Sequence, residues 1–162
     1  MSLVPALVRA AGVIGLDRVT KILTVATLER GDAIHVLPGF FSIVHVRNPG
    51  AAFGILAAAV SPWREVLLVA VSGVAVAIFA WMLVRMPREA VWERGAAAAV
   101  IGGALGNLYD RLVYGEVVDF LDVYVGSWHW PAFNVADMAI TLGIAVLVLT
   151  AFRDGAAEDP GR

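Results

Sequence analysis

The sequence predicts an integral membrane protein that is mainly α-helical, a four-transmembrane-helix bundle with a small extramembrane β-hairpin or sheet between helices 1 and 2. Composition is the first reason: 60% of the 162 residues are hydrophobic and only 16% are charged, whereas soluble domains are about half apolar and about a quarter charged. The second reason is that the apolar residues form four runs long enough to cross a bilayer. The length suits one membrane-embedded domain, residues 1–162.

Charge and cysteine content exclude several classes of function. A formal net charge of −2 provides no basic patch, so no nucleic acid partner is expected. The chain has no cysteine, which rules out a disulfide framework, a thiol nucleophile and cysteine-ligated metal. His35, His45 and His129 lack the spacing of metal ligands, and no GxSxG motif is present. We therefore expect neither a metal nor another cofactor.

The four predicted spans cover residues 3–28, 63–84, 95–114 and 134–152. The first is interpreted as a retained transmembrane helix rather than a signal peptide, because Asp17, Arg18 and Lys21 would interrupt the apolar region of a signal peptide. The intervening regions 29–62 and 115–133 then lie outside the membrane on one common side.

Residues 40–45 alternate in character and include β-branched side chains, which predicts a short strand after the first span. Asn48, Pro49 and Gly50 follow, a combination typical of a tight turn. Residues 51–56 are predicted to form the return strand. The result is a small extramembrane hairpin with an apolar face.

The distribution of lysine and arginine predicts the orientation of the bundle. Six of the twelve cationic residues lie with the termini and the short second loop: Arg9, Arg85, Arg88, Arg94, Arg153 and Arg162. Three lie on the other side: Arg30, Arg47 and Arg64. Because positive charge concentrates on the cytoplasmic side, the termini are predicted to be cytoplasmic and regions 29–62 and 115–133 to be periplasmic.

Five ionisable residues lie within the predicted spans: Asp17, Arg18, Lys21, Asp110 and Arg111. Each would cost about 2.5–3.5 kcal/mol at the bilayer centre, so we expect them to face the bundle interior, to pair, or to lie near the interface. Asp17 and Lys21 are spaced i, i+4, and Asn107 shares a helix face with Asp110 and Arg111. A purely structural polar clamp between helices is the plainer interpretation of this set. Gly102 and Gly106 predict close helix packing beside it.

Two carboxylates at the outer membrane face suggest chemistry. Asp119 lies among Val117, Val118 and Phe120, surroundings that raise the pKa of a carboxyl group. Asp137 lies in the first turn of the last span, after Asn134 as a possible N-cap, so an ordinary helix-start role is also open.

If Asp119 and Asp137 meet, they share one proton. One carboxylate then activates water while the other, protonated, polarises a carbonyl, which is peptide hydrolysis without metal or covalent intermediate. Asp122 remains a third candidate from the pattern alone, although Glu116 and Asp122 are more simply interpreted as solvated charges. Trp128, Trp130 and Phe133 are interpreted as interface anchors or as the lining of a lipid-binding groove.

Five sequence blocks, in order along nearly the whole chain, carry a resemblance to a known family. They are DRVTK at 17–21, NPGAAFG at 48–54, GALGNLYDR at 103–111, VVDF at 117–120 and FNVAD at 133–137. With these blocks the chain resembles the bacterial lipoprotein signal peptidases (signal peptidase II), which are intramembrane aspartyl proteases. The resemblance implies a catalytic dyad at Asp119 and Asp137. It also implies supporting or substrate-binding roles for Asp17, Lys21, Asn48, Gly50, Asn107, Asp110, Arg111, Asn134 and Ala136.

The resemblance further implies the substrate and the location. Diacylglyceryl-modified prolipoproteins would be cleaved before the lipidated cysteine, by a monomer in contact with membrane lipid. The enzyme would lie in the bacterial inner membrane with its active site at the periplasmic face. The alternatives are a small transporter or proton-conducting protein, and a structural membrane scaffold. Conduction needs polar groups throughout the membrane depth, whereas a dyad gathers them at one face.

Overall fold

The computed structural model describes residues 3–50 and 62–157. The elements in chain order are α1 (Val4–Thr27), β1 (Ala33–Leu37), β2 (Phe41–Asn48), α2 (Pro62–Arg85), α3 (Val91–Tyr114), β3 (Val117–Val125), β4 (Trp128–His129) and α4 (Val135–Ala157). Each predicted span therefore corresponds to a helix of 23 or 24 residues. The prediction of a mainly helical chain with a small antiparallel sheet is confirmed.

Among the described residues, two helices are long and apolar enough, by length and composition alone, to cross a membrane: Trp63–Arg85 and Val135–Arg153. The other two helices, α1 and α3, each carry buried ionisable residues. Asp17 and Lys21 on α1 and Asp110 on α3 lower the hydropathy of their helices, yet all three side chains are fully buried.

Helix α3 is the centre of the bundle and packs against α1, α2 and α4. Glycines allow this close approach. A Cβ at Gly102 would lie 2.7 Å from the carbonyl oxygen of Ala10 on α1, and a Cβ at Gly103 would overlap the carbonyl oxygen of Ala136 on α4. The predicted close packing at Gly102 and Gly106 is confirmed, and Gly103 extends it to a second helix.

The bundle has two distinct ends. At the sheet end, where α1 and α3 finish and α4 begins, the strands cover the helices. At the remote end, Ala6, Leu83 and Ala97 belong to an apolar cluster that joins α1, α2 and α3. Arg94 donates there to the carbonyl oxygen of Leu83 at 3.2 Å, which satisfies part of the C-terminus of α2.

The sheet is antiparallel and its strands lie in the order β1-β2-β3-β4. The predicted strand at 40–45 is confirmed as β2, whereas the predicted return strand at 51–56 lies outside the described residues. Residues 115–133, which were predicted only to lie outside the membrane, contain β3 and β4, and no strand was predicted there from the sequence. The sheet thus joins the α1–α2 and α3–α4 connections. Strand β3 is buried on both faces along most of its length, so it lacks the alternation that marks a half-buried strand.

A register shift in β2 aims its last residues at the bundle. Ile43 pairs with Leu121, but the next pair is Val46 with Asp119, so an extra residue bulges from β2 between them. Asn48 consequently lies opposite Val117 and on the same sheet face as Asp119. The bulge therefore positions the Asn48 amide for the site described next.

Candidate active site

Asp119 is a buried carboxylate near the start of β3, an inner strand of the sheet, with only 2% of the residue exposed. Its Oδ2 accepts a hydrogen bond from Asn48 Nδ2 at 2.9 Å, and its Oδ1 accepts one from Asn134 Nδ2 at 2.7 Å. These donors come from β2 and from the start of α4. Strand pairing and helix docking together fix the orientation of this carboxylate.

Asp137 lies in the first turn of α4 and forms a reciprocal capping arrangement with Asn134. The Asp137 backbone N–H donates to Asn134 Oδ1 at 3.0 Å, and the Asn134 backbone N–H donates to Asp137 Oδ2 at 3.3 Å. The other carboxylate oxygen of Asp137 accepts from Asn107 Nδ2 at 2.7 Å. Asn134 thus does cap the helix, and the same contacts orient the Asp137 side chain.

Asn134 connects the two carboxylates. Its oxygen is engaged by the Asp137 N–H, so its Nδ2 must point the other way, towards Asp119. The Asn134 side chain is fully buried, and its amide also lies 3.3 Å from the Asn107 oxygen. The structure therefore brings Asp119 and Asp137 into one hydrogen-bonded cluster, although 18 positions separate them in the chain.

Lys21 is the cation at the centre of the supporting network. Its Nζ lies 2.7 Å from Asp17 Oδ2, 2.9 Å from Asn107 Oδ1 and 2.8 Å from Asp110 Oδ2. The contacts with Asp17 and Asn107 are hydrogen bonds and the contact with Asp110 is an ion pair, and Arg18 also pairs with Asp110. The polar clamp expected from the sequence is present. Asn107, which accepts from Lys21, donates in turn to Asp137, so the clamp is linked to the second carboxylate.

Ala136 joins the network through its backbone. Its N–H, one of the unpaired donors at the start of α4, donates to Asp17 Oδ1 at 3.0 Å. A carboxylate at a helix N-terminus is stabilised by the helix dipole. Gly106 makes room for this contact, because a Cβ there would lie 2.8 Å from Asp17 Oδ2.

Arg111 and Asn48 secure the turn after β2. Asn48 Oδ1 accepts from the Gly50 N–H at 2.9 Å, and Arg111 Nη2 donates to the Gly50 carbonyl oxygen at 3.2 Å. The predicted turn at 48–50 thus contains an Asx-type hydrogen bond. Asn48 therefore holds Asp119 with one end of its amide and its own turn with the other.

The electrostatic environment favours a shared proton. The pKa of Asp119 is raised to about 7, mainly by burial and also by the charge of Asp137, while the hydrogen bonds from Asn48 and Asn134 act in the opposite direction. Two neighbouring carboxylates in a largely desolvated site do not ionise together at neutral pH without a large cost. The pair can therefore supply both a base and an acid at once.

A cavity of about 350 Å³ opens beside the two carboxylates. Its polar residues are Asn48, Asn107, Arg111, Asp119, Asp137 and Thr141, and its remaining wall is apolar: Val117, Trp130, Pro131, Ala132, Phe133, Met138 and Leu142. Of the three aromatic residues expected at an interface or groove, Trp130 and Phe133 line this cavity. Met138 and Thr141 were not anticipated, although Thr141 follows Asp137 by one helical turn.

Asp122 lies outside the site. It is on the opposite face of β3 from Asp119, and the expectation that it is a solvated charge is wrong: it is buried, and His129 Nδ1 lies 2.9 Å from its Oδ1. Glu116 is half-buried and pairs with Arg30 at 3.2 Å. The structure therefore separates both residues from the carboxylate pair.

The fold matches solved structures of bacterial membrane enzymes. One such structure, determined at 2.3 Å by the in meso method, aligns with a TM-score of 0.85 and 28% sequence identity, and the alignment covers 98% of this chain and 93% of the other. A second, at 1.9 Å, gives a TM-score of 0.82 and 27% identity, with coverage of 93% and 94%. Fold and site together define this chain as a membrane enzyme.

Sequence comparison gives the family. A family model for signal peptidase (SPase) II matches residues 9–153. The lipoprotein signal peptidase of Syntrophotalea carbinolica is 48% identical over 143 residues, 88% of each chain. That of Azoarcus sp. (strain BH72) is 45% identical over 157 residues, 96% of this chain and 86% of the relative. The chain belongs to the signal peptidase II family and is a protease, which confirms the resemblance seen in the sequence motifs.

Proposed function

We propose that this protein is an aspartic endopeptidase that removes the signal peptide from diacylglyceryl-modified prolipoproteins, cleaving before the lipidated cysteine. The observation that carries the proposal is the pair of buried Asp119 and partly buried Asp137, oriented by one shared asparagine beside a cavity. Relatives that are 41–48% identical over most of the chain are lipoprotein signal peptidases, which supports the same substrate class.

The carboxylate pair performs the hydrolysis with one shared proton. The ionised carboxylate takes a proton from water as the water oxygen bonds to the scissile carbonyl carbon, and the protonated carboxyl gives its proton to the carbonyl oxygen. When the tetrahedral intermediate collapses, its hydroxyl returns a proton to the second carboxylate. The leaving nitrogen takes the proton held by the first, and the C–N bond breaks. One proton again remains on the pair, which titrates as a unit.

The supporting residues have proposed roles that follow from their contacts. Asn134, Asn107 and Asn48 orient the two carboxylates through the hydrogen bonds described above. Lys21 fixes Asn107, because the ammonium group donates to the Asn107 oxygen and leaves its Nδ2 directed at Asp137. Arg111 holds the Gly50 carbonyl and thereby keeps Asn48 in place.

Asp17, Asp110 and Ala136 support the site from further away. Asp17 and Asp110 neutralise Lys21, and the Ala136 N–H positions the start of α4 on Asp17. The apolar wall of the cavity, including Phe133 and Leu142, offers a surface for an acyl chain of the lipidated cysteine. Membrane lipid would border the rest of the bundle.

We further propose that all four helices span the bacterial inner membrane, with both termini cytoplasmic and the site at the periplasmic face of a monomer. Helices α1 and α3 can cross although they carry charge, because Asp17, Lys21 and Asp110 pair with one another inside the bundle. The excess of arginine at the remote end supports a cytoplasmic location for that end.

Transport or proton conduction gains less support from the arrangement. Apart from Arg94 at the remote end, the buried ionisable residues of the described chain gather at the sheet end. In the described part of α3, the buried positions between Arg94 and Asn107 are all alanine, valine or glycine. A conduction path would need polar groups at those depths.

Cleavage of a diacylglyceryl-modified prolipoprotein by the purified protein in detergent tests the proposal. We expect the parent to release the signal peptide, and Asp119→Asn and Asp137→Asn to lose activity by at least two orders of magnitude, the scale of general acid–base contributions. Asp122→Asn, which changes a buried carboxylate on the other face of β3, is the matched control and should retain activity. Full cleavage by either dyad variant would refute the dyad.

A further inference from the structure

A second cavity, of about 520 Å³, lies in the half of the bundle remote from the carboxylate pair. At the sheet end α1 and α4 meet, as the Ala136 N–H bonded to Asp17 shows. Towards the remote end the two helices border a groove whose floor is formed by Gly95, Ala96 and Ala99 of α3. Arg9 and Val13 of α1 form one wall, and Ala139, Leu142, Gly143 and Val146 of α4 form the other. We call this the Arg9 groove.

The Arg9 groove is apolar except for one cation. Arg9 is exposed, and its guanidinium lies over the floor, since a Cβ at Gly95 would be 3.4 Å from Arg9 Nη1. Among the described residues, no carboxylate forms an ion pair with Arg9. The nearby carboxylate Glu93 instead has Arg153 at 3.8 Å. Within the part of the chain that the structure describes, the groove therefore presents an unpaired positive charge at the end of an apolar channel.

The dimensions of the groove fit one leaflet of a bilayer. From Val91 to Ala99 the lining of the groove follows α3 for about 12 Å, which is under half of the roughly 30 Å hydrocarbon core. Trp92, 73% exposed, lines the same end as Arg9, and tryptophan prefers the level of the lipid headgroups. Arg9 can therefore lie at headgroup depth while the alanines and Leu142 lie at acyl-chain depth.

We propose that the Arg9 groove binds an anionic phospholipid of the membrane, with its phosphate on the Arg9 guanidinium and one acyl chain along α3. A guanidinium binds a phosphate through two parallel hydrogen bonds, and the apolar channel accommodates the chain. The other candidate occupant is the signal peptide of a substrate. Its amino-terminal region is positively charged, so Arg9 would repel it. The inference depends on membrane embedding and not on the proposed peptidase activity.

Native mass spectrometry of the full chain tests the proposal, with phosphatidylglycerol or phosphatidylcholine of matched acyl chains added to the detergent-purified protein. We expect preferential retention of one phosphatidylglycerol and about a tenfold loss of that retention in Arg9→Gln, which corresponds to about 1.4 kcal/mol. Arg85→Gln, which removes an exposed arginine from the same end of the bundle, should leave retention unchanged. Ala99→Leu should fill the groove and reduce retention of both lipids, and Ala139→Leu does the same from the opposite wall.

Three outcomes would overturn the lipid site. One is equal loss of phosphatidylglycerol in Arg9→Gln and Arg85→Gln, which would show general surface electrostatics. Another is unchanged lipid retention when both groove-filling variants are folded. The third is a raised KM for prolipoprotein with unchanged lipid retention in Ala99→Leu, which would assign the groove to the signal peptide. Any of these outcomes would leave the assignment of Asp119 and Asp137 untouched, because neither residue lines the groove.

Discussion

The raised pKa of Asp119 makes the stability of the protein depend on pH, in a direction opposite to that of an ordinary paired carboxylate. The pKa rises from 3.8 to about 7 on folding. At a pH between these two values, the folded state therefore holds a proton that the unfolded state has released. Stability is therefore highest below about pH 4 as far as this group is concerned, and it is lost as pH rises towards 7. A difference of about three pKa units corresponds to about 4 kcal/mol.

Substitution of Asp119 by asparagine tests this magnitude. Asp119→Asn removes the ionisable group, although its amide N–H would face a donor from Asn48 or Asn134, which costs about 1–3 kcal/mol at every pH. The informative quantity is therefore the pH dependence. We expect the difference in unfolding free energy between parent and variant to change by about 4 kcal/mol from pH 4 to pH 8. The variant gains relative to the parent as pH rises.

Thermal unfolding in detergent, followed by circular dichroism across this pH range, measures the effect. Asp122→Asn is the control for loss of a different buried carboxylate. The reasoning is refuted if parent and Asp119→Asn show parallel stability curves from pH 4 to pH 8. Peptidase activity should fall as pH rises above about 7, because the pair then loses the proton that polarises the carbonyl.

Three further substitutions test the packing around the site. Lys21→Met leaves Asp17 buried beside an apolar group, so the unfolding free energy, measured by thermal unfolding, should drop by about 3–5 kcal/mol. If the two residues are coupled, the double variant with Asp17→Asn should lose less than the sum of the two single variants. Asn134→Ala removes the helix cap and a donor to Asp119. We expect about 1–3 kcal/mol of destabilisation and a greatly reduced kcat in the cleavage assay. An unchanged kcat would contradict the orienting role of Asn134. Gly106→Ala should lower stability by about 1–3 kcal/mol because its Cβ meets Asp17, whereas Gly73→Ala, which meets nothing, should be neutral or stabilising.

The helices were predictable from sequence because each is a long apolar run. Their ends were less so: α3 begins at Val91 rather than at residue 95, since Arg94 is accommodated by the carbonyls at the end of α2 and does not stop the helix. Strand β3 was missed because its pairing with β2 joins residues about 70 to 80 positions apart. Local patterns contain no record of such pairing. Asp122 was misjudged for a different reason: its partner His129, only seven positions away, lies on the adjacent strand β4, which had not been predicted.

Part of the site could be deduced from spacing alone. Asn134 and Asp137 are three residues apart at a helix start, a separation that predicts their reciprocal hydrogen bonds. The bond from Asn134 to Asp119 could not be deduced, because it depends on how α4 docks against β3. The contact of Asp17 with the Ala136 N–H likewise depends on two helices 119 positions apart in sequence.

The rotational setting of α3 is determined by the side of the helix on which its glycines fall. Gly102 and Gly106 face α1 while Gly103 faces α4, so one helix meets two partners along adjacent lines of its surface. A single residue inserted after Gly106 would turn everything beyond it by about 100°, moving Asn107 away from Lys21 and Asp137 at once. The length of the middle of α3 is therefore as constrained as its composition. Insertions can be accommodated in the loops of this protein but not in the middle of α3.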